Sequence, residues 1–351
     1  MHAFLSLSAI LALLLSPNSV AQTSSSSLRM LAKSRGILFG SAIRSRPLAD
    51  DSAYAAFAAS QFSILTPEND FKFDAIHPEQ ERFEFKAADQ IVAFAKKNRQ
   101  LIRGHTLVWH NPDALPEWLK SRDWSPQELR QILTRHIETT LGHFNKTAKG
   151  IVVSWDVLNE AFDDEGSFRK DSIWARIEPD PFKFFSWLFR LCHRIAPGLK
   201  LYYNDYGIEA PGKKTEVVFR LMKRLRAAKI PIDGIGFQTH GSADWNSDFE
   251  TLATTLKRFA KLGLRVHITE MDYAIRDAAP QDSQLQAQAY SKALEACLSV
   301  KNCGVFITWG FTDRYLWNGN FKKGSGSSTY LDRDLKPKPA LESIRKILNP
   351  D

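Results

Sequence analysis

The sequence predicts an α/β fold in which eight parallel strands close into a barrel, the (β/α)8 or TIM-barrel architecture. Three observations predict it. Eight strand-like apolar runs alternate with helical patterns, which implies right-handed crossovers and a parallel sheet. The chain has 351 residues, of which 44% are hydrophobic; that suits eight such repeats in one large domain. The rival open, doubly wound sheet should show a glycine-rich phosphate loop after an early strand, and neither Gly-x-Gly-x-x-Gly nor a Walker A sequence is present.

In chain order, the strand-like runs are Leu38–Ile43, Ser63–Pro67, Leu101–Val108, Ile151–Leu158, Lys200–Asn204, Gly234–Thr239, Arg265–Thr269 and Gly304–Trp309. The fourth is typical: Val152, Val153, Trp155, Val157 and Leu158 make a short, mostly apolar run rich in β-branched residues. Between these runs lie a weak helical pattern over Asp51–Ser60 and clear ones over Ala87–Lys97, Pro126–Asn145, Pro181–Ala196, Gly212–Ala228, Phe249–Leu262, Gln284–Val300 and Pro339–Leu348. The connection from Thr312 to Lys336, with Trp317, Phe321, glycines and serines, is too long for an ordinary loop and reads as a functional wall or lid.

The first 21 residues read as a secretory leader. Ala3 to Leu15 is apolar apart from two serines, and Ser19-Val20-Ala21 offers a small-x-small cleavage pattern. The run is too short to span a bilayer. Residues 22–35 are expected to be a flexible segment, serine-rich over Gln22–Ser27, with the barrel domain occupying 36–351. The mature protein is then expected to be exported, extracellular or periplasmic, and free of the membrane.

The net charge of +8 raises a nucleic-acid hypothesis. The basic residues are dispersed, however. Their main concentration, Lys213-Lys214 through Lys223-Arg224 and Arg226, shares a helix with Val218, Leu221, Met222 and Leu225, so a solvated helix face accounts for it. No basic run is interleaved with aromatics as a single-strand groove requires. No nucleic-acid partner is expected, and the protein is expected to be monomeric. Of the three cysteines, Cys192 lies in an apolar helix and is expected to be a buried thiol. Export would permit a bridge between Cys297 and Cys303. No Cys or His cluster has metal-ligand spacing. Asn145-Lys146-Thr147 is a glycosylation acceptor that matters only in a eukaryotic host.

The informative residues stand where strands give way to loops. Strand two delivers Glu68, Asn69 and then Lys72; strand three His105, Trp109 and His110; strand four Asn159 and Glu160. Strand five delivers Asn204, Asp205 and Tyr206; strand six Gln238 and His240; strand seven Glu270 and Asp272; strand eight Trp309, with Trp317 beyond it. In a barrel of this type these ends converge on one face. A carboxylate where a buried strand emerges must be paired or neutralised, which favours a functional role. Two glutamates across a pocket are the equipment of glycoside hydrolysis. Tryptophan faces stack on sugar rings, while amides, histidine and lysine bond hydroxyls. No cofactor is expected.

The segments Glu68-Asn69-Asp70-Phe71-Lys72, Arg103-Gly104-His105-Thr106-Leu107-Val108-Trp109-His110, Trp155-Asp156-Val157-Leu158-Asn159-Glu160, Gly236-Phe237-Gln238-Thr239-His240 and Ile268-Thr269-Glu270-Met271-Asp272 resemble glycoside hydrolase family 10. That family consists mainly of endo-β-1,4-xylanases on an eight-stranded barrel. The likeness runs from about Gly36 to Leu348 in the family's order. It implies that Glu160 is the acid/base and Glu270 the nucleophile of a retaining mechanism, and that Asn159 bonds the 2-hydroxyl of the reacting sugar. It implies that Asn69, Lys72, His105, Gln238, Trp109, Trp309 and Trp317 line the glycone side, with Glu68 further out; Tyr206, at the end of strand five, is also expected to bind substrate. His240 and Asp272 match a chain that holds Glu270 ionised, and Cys297 and Cys303 match a bridge found in some members. Phe73, Gly207, Phe311 and Asn318 depart from the family's usual residues, and none touches the two glutamates. The expected activity is hydrolysis of internal β-1,4 bonds in xylan and xylo-oligosaccharides. A retaining β-glucanase on the same barrel is the nearest rival, and a non-catalytic sugar-binding barrel a more distant one.

Overall fold

The computed structural model describes residues 26–243, 249–275, 280–317 and 326–349. The expected leader at 1–21 and Asn318 lie outside them. Six strands, β1 (Leu38–Ile43), β2 (Ile64–Pro67), β3 (Leu101–Trp109), β4 (Val152–Asn159), β5 (Lys200–Asp205) and β6 (Gly234–Phe237), lie side by side in chain order. β7 (His240–Ser242) pairs with the far end of β8 (Arg265–Ala274), and β9 (Cys303–Thr308) joins β8 to β1. β6 also pairs with β8. Every pairing is parallel, so eight strands close into a barrel and β7 is a short addition at its rim.

Two strands differ from expectation, for one reason. The run Gly234–Thr239 breaks after Phe237 because Thr239 takes a left-handed φ of 62°. The chain then resumes as β7 along β8, which therefore continues past Thr269 to Ala274.

The helices are α1 (Leu28–Ser34), α2 (Ser45–Asp50), α3 (Ser52–Gln61), α4 (Phe73–Ile76), α5 (Lys86–Lys97), α6 (Glu117–Lys120), α7 (Pro126–Thr147), α8 (Pro181–Ile195), α9 (Lys213–Ala227), α10 (Leu252–Ala260), α11 (Pro280–Leu298) and α12 (Pro339–Leu348). Sequence sets several of their starts. Ser125 and Glu128 form a reciprocal capping box ahead of Pro126. Asp180 accepts from the Phe182 and Lys183 amides ahead of α8.

Within the segment expected to be flexible over 22–35, residues 22–25 lie outside the described residues and residues 28–34 form α1 instead. Leu28 and Ala32, four residues apart, present one face that is completely buried. Arg29 bonds the carbonyls of Ala59, Asn98 and Arg99, tying α1 to the ends of α3 and α5. Cys297 and Cys303 are bridged, joining the last turn of α11 to the start of β9, and Cys192 is a buried free thiol. No described helix is long and apolar enough to cross a membrane.

Inside the barrel the packing beneath the site is partly polar. Arg103 of β3 donates to both carboxylate oxygens of Asp156 on β4, with Nε at 3.0 Å, and its Nη1 approaches Nδ1 of His267 at 2.9 Å. Burial and the Arg103 charge keep His267 well below the usual histidine range, so it is neutral. Its Nδ1 therefore accepts from Arg103, and Nε2 donates to the Tyr202 hydroxyl 3.2 Å away. A buried pair of this kind is stable only when fully hydrogen-bonded, as this one is.

Candidate active site

Glu270 projects from β8 and is almost entirely buried, 4% exposed. Its Oε1 accepts from Asn204 Nδ2 at 2.6 Å, and its Oε2 from His240 Nε2 at 3.2 Å. His240 Nδ1 meets Asp272 Oδ1 at 2.7 Å, and Trp317 Nε1 donates to Asp272 Oδ2 at 2.9 Å. Burial alone would lower the His240 pKa, but Asp272 and Glu270 outweigh it and hold the ring well above the usual range. His240 is thus an imidazolium that donates from both nitrogens. Burial likewise works against the Glu270 anion. The His240 hydrogen bond, the field of His105 and the Asn204 donor overcome it, and Glu270 stays below the ordinary glutamate range.

Asn204 comes from β5, and it fits because Gly236 faces it. A Cβ at Gly236 would sit 2.1 Å from Asn204 Oδ1. That oxygen accepts from Thr269 at 2.7 Å, which fixes the amide so that its nitrogen reaches both Glu270 and, at 2.9 Å, Asn159 Oδ1.

Glu160 lies just past β4 and is half-buried. Its carboxylate accepts from Trp109 Nε1 at 2.8 Å, Gln238 Nε2 at 2.9 Å and Asn159 Nδ2 at 3.1 Å. All three donors are neutral. Gln238 Nε2 also reaches Asn159 Oδ1 at 3.2 Å. The two glutamates are therefore joined through a short chain of amides, Glu270–Asn204–Asn159 and Gln238–Glu160. Glu160 has a left-handed φ of 53°. That conformation costs a residue with a Cβ about 1–2 kcal/mol and persists only where the surroundings fix it. The Glu160 amide donates to Asn204 O at 3.0 Å, and Arg169 Nε donates to the Glu160 carbonyl at 3.1 Å.

The remaining expected residues form the walls. Lys72 donates to Asn69 Oδ1 at 3.0 Å and sits 4.8 Å from the Trp109 ring centroid. Burial pushes the Lys72 pKa down against the pull of Glu68, Glu270, Asp74 and Glu160. Asn69 bonds Glu68, which is buried and ion-paired with Arg44 at 2.6 Å. His105 is held through Nδ1 by Asp156 at 3.0 Å and meets Trp309 edge-on at 5.3 Å. Trp309 and Trp317 both pack against His240, with ring centroids 6.3 and 5.3 Å away. Tyr206 stands on the Glu160 side, where its hydroxyl accepts from Arg169 at 2.8 Å and Lys214 Nζ lies 3.6 Å from its ring centroid.

Several members were missed from sequence. Arg44 and Arg169 lie outside every quoted motif, and Asp156, though inside one, was not singled out, because its role appears only through Arg103 and His105, more than 50 residues away. Asn204 was legible only as a strand-end amide. Of the basic helix face, Lys213, Lys223, Arg224 and Arg226 are exposed as expected, but Lys214 is 2% exposed and pairs with fully buried Asp205 at 2.8 Å.

A buried carboxylate kept anionic, facing a more open carboxyl held by neutral donors, with tryptophans beside them on a barrel rim, defines a two-carboxylate glycoside hydrolase. The sequence profile of glycosyl hydrolase family 10 matches residues 27–347. Endo-1,4-beta-xylanase B of Thermotoga neapolitana is 40% identical over 328 residues, covering 92% of this chain and 91% of that protein. Endo-1,4-beta-xylanase A of Phanerodontia chrysosporium is 37% identical, covering 92% and 78%. The crystal structure of native xylanase 10B from Thermotoga maritima superposes with a TM-score of 0.85 at 39% identity, covering 92% of this chain and 98% of that one. Xylanase 10B from Thermotoga petrophila, solved in complex with xylobiose, gives 0.84 at 39% identity, covering 92% and 97%. The chain belongs to glycosyl hydrolase family 10.

Proposed function

We infer that the protein is an exported endo-β-1,4-xylanase that cleaves internal bonds of xylan with retention of configuration. The observation that carries this reading is the unequal tethering of the two glutamates. Glu270, buried and anionic among charged and amide donors, is suited to attack the anomeric carbon. Glu160, reached only by neutral donors, is suited to hold a proton for the leaving oxygen.

In the first step a Glu270 oxygen bonds to the anomeric carbon while Glu160 protonates the departing sugar oxygen. Glu270 is then an ester and carries no charge. Glu160, now ionised, takes a proton from water, which attacks the same carbon and frees Glu270. Asn159, fixed by Asn204 and Gln238, is placed to bond the 2-hydroxyl of the reacting sugar. Lys72, Asn69, His105 and the tryptophans supply hydroxyl contacts and stacking faces.

The relatives named as endo-1,4-beta-xylanases and the xylobiose complex support xylan as substrate. The apolar run Ala3–Leu15 followed by Ser19-Val20-Ala21 supports export with cleavage after Ala21. The deciding experiment follows the first-formed product by proton NMR while comparing soluble xylan with carboxymethyl cellulose. A β-anomer formed from xylan, with little release from the cellulose, is the expected result. An α-anomer removes the double displacement, and faster release from the cellulose removes the substrate. Amino-terminal sequencing of the exported protein tests the leader.

A further inference from the structure

The backbone that aims Glu160 is clamped from behind by a buried group that the reaction itself does not use. The Ala161 amide donates to the Tyr203 hydroxyl at 3.2 Å, and that hydroxyl donates to Asp205 Oδ2. Asp205 Oδ1 accepts from the Tyr206 amide at 2.9 Å and faces Lys214 Nζ at 2.8 Å. Tyr203 and Asp205 are completely buried and Lys214 is 2% exposed. Arg169 closes the other side, holding the Glu160 carbonyl and the Tyr206 hydroxyl. The residue so clamped is the one with a left-handed φ of 53°. A buried lysine needs a partner, and here the partner is one hydroxyl away from the peptide that follows Glu160.

We propose that Lys214 and Asp205 are positioning residues for the acid/base: their ion pair anchors Tyr203 against the turn at Glu160 and keeps the wall behind its carboxyl neutral. This rests on Glu160 being the acid/base, a reading that Glu160→Ala tests on its own. Burial pushes the Asp205 carboxyl up to about 7 even with Lys214 and Tyr203 beside it. On the alkaline side of neutrality the pair is therefore complete and the wall neutral, whereas on the acidic side Asp205 takes up a proton and the wall carries the Lys214 charge. The other titratable or charged groups that act on Glu160 are Lys72 from the loop after β2, Arg169 from the loop after β4, and Tyr203 and Tyr206 from β5 and its end. Glu270 faces it across the amide chain.

The test is the pH dependence of kcat/KM on xylan for Asp205→Asn, Lys214→Met and the double variant. Asp205→Asn leaves the Lys214 ammonium without its ion-pair partner, with Glu209 the other carboxyl acting on it, and so adds positive charge behind Glu160, which favours the ionised carboxylate. The alkaline limb should move to lower pH, the direction in which an added positive charge moves a carboxyl. Lys214→Met should not move it that way, and the double variant should return it toward wild type. A limb in Asp205→Asn that superimposes on wild type overturns the proposal, as does a shift that persists in the double variant. A purely structural role would lower stability and leave the limb in place. Tyr203→Phe keeps every charge and covers the case in which the charged variants do not fold. It should lower kcat on xylan about tenfold, the lower range for impaired acid catalysis, while sparing the glycosylation step on an aryl xylobioside with a good leaving group. An equal loss on both substrates overturns the clamp.

Discussion

The surroundings of Glu270 and of Glu160 differ in burial, in the charge of their donors and in how each backbone is held. Glu270 sits within a regular strand, 4% exposed, bonded to an imidazolium and an amide. Glu160 sits one residue past a strand, half-buried, bonded only to neutral N–H groups, on a left-handed turn held by Arg169 and Tyr203. One carboxyl is kept charged by fixed positive neighbours. The other has no ionic group among its direct donors. Two identical side chains thus stand in opposite environments, the contrast on which the proposed division of tasks rests.

The largest effect should come from removing each glutamate. Glu270→Ala should abolish turnover on every substrate. Glu160→Ala should lower xylan hydrolysis by about 10²–10⁴-fold, the range for a lost general acid, yet give a burst of phenol from an aryl glycoside with a good leaving group. Stopped-flow absorbance distinguishes them, and identical behaviour on the activated substrate would erase the contrast between the two sites.

Next in size is His240→Gln, which removes the cation facing Glu270 and keeps a donor. Burial then dominates, so the acidic limb of kcat/KM should rise by about one unit or more. The same linkage acts on stability. The depressed Glu270 stabilises the fold above the ordinary glutamate titration near about 4.3, and that contribution is lost as pH falls through its folded value. The raised His240 contributes fully below about 6.5 and loses its contribution as pH climbs through its folded value. Urea melts of wild type and His240→Gln across pH should differ in both directions; an unchanged acidic limb would detach His240 from the nucleophile.

Trp317→Ala should sharpen the picture of the wall. Xylose lacks the hydroxymethyl group that glucose carries at C5, and a rigid indole beside C5 can exclude it. Displacing packed side chains costs about 1–3 kcal/mol, so the preference for aryl xylobioside over aryl cellobioside should narrow by roughly ten- to a few hundredfold. Because Trp317 also holds Asp272, Trp317→Phe separates the roles: bulk and preference remain, while the acidic limb moves slightly up. Equal losses on both glycosides would end the steric account.

The smallest effect on activity should follow loss of the bridge between Cys297 and Cys303. It lies where β9 begins, at the end of the barrel away from the glutamates. Replacing both cysteines with alanine should lower stability by about 2 kcal/mol on the chain-entropy model and leave kcat unchanged. A calorimetric scan and a single kinetic assay check both parts.

The sequence by itself determined the barrel, the rim and the two glutamates. Each is written locally. An apolar run that ends in Asn159-Glu160, or in Thr269-Glu270, announces both a strand and the polar face it points to, and the period of α12 from Pro339 to Leu348 shows its whole length. Only the tertiary structure decided which partners complete the site, because those partners come from far along the chain. Asn204 lies 66 residues from Glu270, and Arg103 lies 164 from His267. Lys214 shows the reason most plainly. A lysine in the first turn of an amphipathic helix is ordinarily solvated, and nothing within that helix says otherwise. Only the fold brings it, buried, against Asp205 at the end of β5, one tyrosine hydroxyl from the peptide that follows Glu160.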